Sequence, residues 1–167
     1  MVDVGDKPAT LRMARASARV RMNPATLAVI RDRKAAKGDV LEVARLAGIM
    51  AAKRTAELIP LCHSLALDSV TIDFEFPDEQ TVAIEAGVRV TARTGVEMEA
   101  LVAASIAALT IYDMVKSIDR GIVVEQVRLE EKLGGQSGHF VRIRSGDEHA
   151  ASDSGPIASE KAKNPKT

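Results

Sequence analysis

The stretch from Gly95 to Ser117 sets the terms for the rest of this chain. It is rich in alanine and leucine, has no glycine or proline inside it, and its middle is apolar on nearly every side. Unbroken helix formers predict one long helix. A helix without a polar face has to be covered all round, in a core or in a subunit interface. Its most apolar part, Leu101 to Tyr112, falls well short of the roughly 20 residues that cross a bilayer, so no membrane insertion is expected. The cover must therefore come from the rest of a 167-residue chain, which is enough for one domain of about 100–200 residues, or from a second copy.

The segments on either side can supply that cover. Alternation in Ala18-Arg19-Val20-Arg21-Met22 reads as a strand, and Asn23-Pro24 fits an N-cap followed by proline in the first helical turn, predicting a helix to about Lys34. Lys37-Gly38-Asp39 breaks the chain, and Asp39 is placed to cap a second helix from Val40 to Thr55. That helix carries a small-residue stripe, Ala44, Ala47, Gly48, Ala51 and Ala52, which permits close approach to a neighbour. Pro60 predicts an extended segment from Ile59 to His63, because the residue before proline avoids helical geometry. Leu67 to Phe76 and Thr81 to Thr91 alternate clearly and read as a hairpin around Pro77-Asp78-Glu79-Gln80. After the long helix come a strand from Ile122 to Leu129, a loop from Gly134 to Gly138, and a last strand from His139 to Ile143. From Ser145 the chain is polar with almost no apolar residue, and residues 145–167 read as a disordered tail.

Strand, helix, helix, hairpin, long helix, strand, strand is the order of an α+β domain with helices packed on one face of an antiparallel sheet. Other classes are disfavoured by composition. Aromatic residues are 2% of the chain and lysine plus arginine balance aspartate plus glutamate at 23 each, leaving neither stacking platforms nor a basic footprint for nucleic acid. One cysteine, Cys62, excludes an internal disulfide and any CxxC knuckle, and suits a reducing cytoplasm. The first ten residues carry charges and Pro8 in place of an apolar run, so no signal peptide is expected.

Chemistry-bearing residues fall in a few places. Asp113 and Lys116 sit at i and i+3 near the end of the long helix, so an acid and a base project from one side; a solvated ion pair has the same spacing. Glu97 and Glu99 lie in its first turn, where carboxylates complement the helix dipole and where they could also accept from the N–H edge of a guanine-like or pterin ring. Leu61-Cys62-His63 follows the Pro60 break with no partners at metal-ligand spacing. Lys37 stands beside Gly38 at a helix start, a setting that favours phosphate, although the P-loop pattern is absent. Cations, ring-binding carboxylates, one histidine and an acid–base pair together favour a phosphorylated heterocycle. A non-catalytic nucleotide-binding module and a pure oligomerisation protein are the competing readings.

Several ordered strings narrow this choice: Met1-Val2-Asp3-Val4, Lys37-Gly38-Asp39-Val40, Ala51-Ala52-Lys53-Arg54-Thr55, Leu58-Ile59-Pro60-Leu61-Cys62-His63, Thr94-Gly95-Val96-Glu97-Met98-Glu99-Ala100 and Ala107-Ala108-Leu109-Thr110-Ile111-Tyr112-Asp113-Met114, followed by Ser137-Gly138. Over about residues 1–144 the chain resembles the cyclic pyranopterin monophosphate synthase family of molybdenum cofactor biosynthesis. The resemblance implies a ferredoxin-like fold and a lyase that converts 3′,8-cyclo-7,8-dihydroguanosine triphosphate to cyclic pyranopterin monophosphate and diphosphate. It implies ligand-binding roles for Leu61, Cys62, His63, Met98 and Glu99, with Glu97 and Arg12 also in the site. It puts the catalytic aspartate on Asp113 and functional lysines on Lys37 and Lys116. It implies a cytoplasmic homohexamer, a trimer of dimers with the site at the dimer interface, and no organic cofactor or dedicated metal site, magnesium entering only with the triphosphate. In one place the chain departs from the pattern GG[KR]SG, having Gln136 where a basic residue is usual, with Lys132 or Arg142 as the substitutes within reach.

Overall fold

In a computed structural model, the structure describes residues 1–143, so the expected tail from Ser145 lies outside the described residues. The elements in chain order are β1 (Thr10–Arg21), α1 (Pro24–Arg31), α2 (Val40–Ala52), α3 (Thr55–Leu58), β2 (Ser69–Glu75), β3 (Thr81–Ala92), α4 (Glu97–Val115), β4 (Val123–Leu133) and β5 (Phe140–Val141). The strands form one sheet in the order β2-β3-β1-β4-β5 with every pairing antiparallel. This is the α+β architecture expected, and the order of its first four strands is compatible with a ferredoxin-like arrangement.

β1 runs far beyond the five residues whose alternation is obvious. Its inward positions are Ala14, Ala16, Ala18 and Val20, all fully buried, and its outward ones include Arg15, Ser17, Arg19 and Arg21. Alanine has little strand preference of its own, so the alternation of small with charged residues hides a strand. Its value lies in packing. α4 lies over β1, β3 and β4 and against α2, and its Ala100, Ala103, Ala104, Ala107 and Ala108 have no exposed surface, with Ala103 and Ala107 turned to α2 at Gly48. Small residues on both sides let the helix sit close to the sheet, while Ile72, Ile84, Ile111, Val82 and Val88 fill the remaining core. Among the described residues α4 alone is long and apolar enough to cross a membrane, but over half of its most apolar window is buried within this chain, as befits a core helix. Its cover is incomplete: Leu109 is exposed.

The small-residue stripe of α2 is explained by the same contact. A side chain at Gly48 would meet the end of Ile72 and come within 2.8 Å of the Ala103 carbonyl of α4. A side-chain end can yield, but a helical carbonyl cannot without moving α4. Gly48→Val should therefore destabilise the fold by about 2–3 kcal/mol, the range of an overpacked core, read from a denaturant midpoint; an unchanged midpoint would show that α2 and α4 are not held at this separation.

Most local signals were obeyed, though α2 ends at Ala52, short of Thr55. Asp39 caps α2, accepting from the amides of Leu41 and Glu42, but Asn23 makes no side-chain cap for α1. Buried Asp119 does that work from the far end of the chain, accepting from the Asn23 amide at 2.9 Å and the Thr26 hydroxyl at 3.3 Å. α1 stops at Arg31, short of Lys34, because Arg33 takes a left-handed conformation at φ 56°. Ile59 is extended as a pre-proline residue should be, but the segment to His63 is not: the Cys62 amide closes a turn onto the Ile59 carbonyl at 3.1 Å.

Candidate functional site

The expected site residues gather at the two ends of α4. At its C-terminal end Lys37, Asp113 and Lys116 form one charged cluster. Lys116 Nζ lies 2.7 Å from Asp113 Oδ1, Lys37 Nζ lies 2.7 Å from Asp113 Oδ2, and Lys37 also donates to the Asp113 carbonyl at 2.8 Å. Spacing alone placed Lys116 beside Asp113; only the fold brings in Lys37, from the loop before α2. All three side chains are about half exposed.

Two ammonium groups on one carboxylate fix the protonation states. Hydrogen bonds from Lys116 and then Lys37 pull Asp113 down to about 2, and the bond to Asp113 pushes Lys116 up. At neutral pH Asp113 is a carboxylate too weakly basic to accept a proton readily, and Lys116 is an ammonium ion. The cluster therefore presents proton donors and positive charge, held in place by the aspartate between them.

At the N-terminal end of α4 the turn carrying Leu61, Cys62 and His63 faces Glu97, Met98 and Glu99 across a pocket of about 370 Å³ that the N-terminal residues Val2, Val4 and Lys7 help to line. Glu99 is buried, with 4% of its surface exposed. Burial, reinforced by the Glu97 charge, pushes its carboxyl up. Burial, with the Glu99 charge second, pushes the Cys62 thiol up as well, which favours the neutral thiol where Cys62 lines the pocket.

A raised carboxyl has a consequence for stability. The folded protein holds the Glu99 proton more tightly than the unfolded chain does, so ionisation costs stability as pH rises through its folded value, and the cost disappears below the ordinary value of 4.5. Glu99→Gln should melt at a higher temperature than the parent at pH 7–8, and the gap should close as pH falls below that ordinary value. A gap that widens in acid would mean that Glu99 is held by a favourable partner.

Beside this pocket, and sharing Lys7, Thr94, Gly95 and Glu97 with it, lies a cleft of about 540 Å³ between the start of β1 and the glycine loop after β4. Arg12 lines it and is 8% exposed, with Nε 3.4 Å from the Ala92 carbonyl. Gly134 and Gly135 have φ of 94° and 82°, and any side chain at Gly135 would collide with the Arg12 guanidinium. Glycine is needed there on both counts. Gln136 sits on the rim. Of the two substitutes for a basic loop residue, Lys132 lines this cleft and donates to the Ser137 hydroxyl. Arg142 donates to the Leu129 carbonyl at 2.8 Å and lines a different hollow, with Arg15, Arg19 and Glu85.

Arg12 and Lys37, both functional residues by the resemblance, are thus apart within one subunit: Arg12 lines the cleft at the start of α4 and Lys37 lies at its end. Sequence reasoning did not single out Lys7 or Arg93, which join the cleft. Neither lies in a recognisable motif, and only strand register and the path of the N-terminal loop bring them in.

Comparison with known proteins agrees with the strings that mark both ends of α4. A model of the MoaC family matches residues 1–135. A cyclic pyranopterin monophosphate synthase from Thermomicrobium roseum is 55% identical over 151 residues, 90% of this chain and 91% of the relative. Another, from Herpetosiphon aurantiacus, is 60% identical over 141 residues, 84% of this chain and 86% of the relative.

Proposed function

Because this chain belongs to the MoaC family, we propose that it works as its relatives are named to work, as a cyclic pyranopterin monophosphate synthase in molybdenum cofactor biosynthesis. The reaction converts 3′,8-cyclo-7,8-dihydroguanosine triphosphate to cyclic pyranopterin monophosphate with release of diphosphate, and the enzyme is a lyase. The observation that carries the site assignment is the Lys37–Asp113–Lys116 cluster, two ammonium groups converging on one carboxylate at 2.7 Å.

The chemistry requires opening the imidazole part of the purine, rebuilding a pyrazine ring, and attack of a ribose hydroxyl on the α-phosphate. Each step moves protons, and each is served by a positioned donor. Lys116 is the principal proton-transfer group and Asp113 the residue that orients it and keeps it charged. Lys37 adds positive charge where negative charge builds on phosphate oxygens. At the other end of the helix Glu97 and Glu99 accept from the ring N–H groups, while Leu61, Cys62, His63 and Met98 enclose the ring and ribose. No organic cofactor is required; magnesium arrives, if at all, as part of the triphosphate substrate.

The two sets of residues belong to one reaction but not to one pocket of one subunit. Fourteen residues separate Glu99 from Asp113, which is about 21 Å along a helix, too far for one nucleotide to bridge. The active site is therefore shared, the start of α4 from one protomer facing the end of α4 from another, in a homodimer that assembles further into a hexamer in the cytoplasm. An exposed apolar row on α2, Val43, Leu46 and Met50, supports burial of the helical layer against another copy. The test is direct: purified protein with the cyclised triphosphate should release diphosphate in step with formation of the pterin. Binding without release would instead favour a nucleotide-binding module.

A further inference from the structure

The connection from the end of α4 to the start of β4 has a single anchor. From Lys116 to Gly121 every residue is exposed except Asp119, which keeps 6% of its surface. Its carboxylate accepts three hydrogen bonds on two oxygens. Oδ2 accepts from the Asn23 amide at 2.9 Å and the Thr26 hydroxyl at 3.3 Å, and Oδ1 accepts from the Gly121 amide at 2.9 Å. The Asp119 amide donates to the Val115 carbonyl at 3.1 Å, just after the Lys116 amide donates to the Tyr112 carbonyl at 2.8 Å. Asp119 therefore joins the last turn of α4 to the junction of β1 and α1. That junction is itself held to the sheet, where the Met22 amide donates to the Gln80 carbonyl at 2.8 Å. These bonds, the one from the Asn23 amide above all, hold the Asp119 carboxyl below the ordinary aspartate range, so it is a carboxylate at neutral pH.

The two segments joined in this way lead to the two lysines on Asp113. Lys116 is the residue that closes α4, three positions before Asp119, and helix ends fray unless something holds them. Lys37 lies on the connection that leaves α1, whose first turn Asp119 grips through Asn23 and Thr26. Buried Ala35 seats that connection, and the Gly38 amide donates to the Ala35 carbonyl at 3.0 Å on the way into α2. Exposed ion pairs do little to hold themselves in place, and both lysines are about half exposed. The frame behind them must set where their ammonium groups stand. From this juxtaposition we infer that Asp119 is a positioning residue for the Lys37–Asp113–Lys116 cluster, acting through the turn that carries Lys116 and the helix that leads to Lys37. That the cluster is catalytic rests on the proposed function. Asparagine cannot take its place, because its oxygen can accept on one side only and its NH2 group then faces a donor on the other.

The test is Asp119→Asn in the full chain, with steady-state kinetics on the cyclised triphosphate and amine labelling of lysines at neutral pH, read by mass spectrometry. The expected kcat is about 10–100-fold lower, the cost of a small misplacement at a reacting centre, with KM little changed. Lys37 and Lys116 should label about two- to fivefold faster than in the parent, as a loosened exposed ion pair allows, while exposed Lys53 keeps its rate. Thr26→Val removes one of the three bonds and should move both readouts the same way by less; it is judged by the same criteria where Asp119→Asn fails to fold. Ile72→Val, in the core at β2, should lower the melting temperature and leave kcat and labelling unchanged, which separates lost stability from lost position. A folded Asp119→Asn protein with parental kcat, or with parental labelling at both lysines, would overturn the inference whatever its melting temperature. Labelling needs no turnover. If the parent never releases diphosphate, the proposed reaction fails, while faster labelling of both lysines still supports the positioning role and parental labelling overturns it.

Discussion

Lys116→Ala is expected to lower turnover by about 10²–10⁴-fold, the contribution of a positioned proton donor, while leaving the fold in place. The side chain is about half exposed and its one partner, Asp113, is also exposed, so its loss costs little stability, as for surface ion pairs in general. The expected result is a variant with an unchanged melting curve and a collapsed rate of diphosphate release. Lys116→Arg separates two ways of being essential. Arginine restores the charge beside Asp113 but does not exchange its proton at accessible pH. If Lys116 transfers a proton, the arginine variant stays nearly as slow as the alanine one; if it serves only as a fixed charge, much of the rate returns. A folded Lys116→Ala protein with full activity would remove Lys116 from the mechanism altogether.

Mixed oligomers should reveal whether the site is shared. Glu99→Ala and Asp113→Ala homo-oligomers are each expected to be nearly inactive, since every site then carries one lesion. Co-expression of the two, with separate tags to isolate mixed dimers, places both lesions in one site and none in the other, as two-fold symmetry requires when each subunit lends a half to each site. Activity should recover to as much as half of the wild-type level per dimer. Mixed dimers as inactive as either parent would mean that each subunit holds a complete site, and that the distance along α4 has been assigned to the wrong pair of residues. The outcome is insensitive to modest loss of stability, because both lesions are present in every mixed dimer.

Much of the site was legible because its residues sit in continuous strings. Asp113 and Lys116 lie one helical turn apart, so helix geometry alone puts them on one side, and the 2.7 Å contact follows. Glu97 and Glu99 open α4, and Asp39 caps α2 as its position predicts. Strand β1 was only partly legible because alanine carries the inward face, and β4 was cut short at Leu129 although it runs to Leu133. Its last residues, Glu130, Glu131 and Lys132, look like a charged loop; they are a strand because they pair with β1 and β5, and Glu131 is matched by Arg15 and His139.

The sequence by itself determined which segments become helix and hairpin, that the long apolar helix needs a sheet beneath it, and which side chains are candidates for the chemistry, because each of these depends on residues within a few positions of one another. Tertiary structure decided what those residues meet. Lys37 reaches Asp113 across 76 positions, Asp119 accepts from the Asn23 amide 96 positions away, and Arg12 of β1, Arg93 just after β3 and Lys132 of β4 converge on one cleft. Pairings of that kind depend on the register of a five-stranded sheet and on how closely an alanine face lets α4 approach it. Local periodicity does not encode them, since they are set by the sum of many weak contacts made only when the whole core closes.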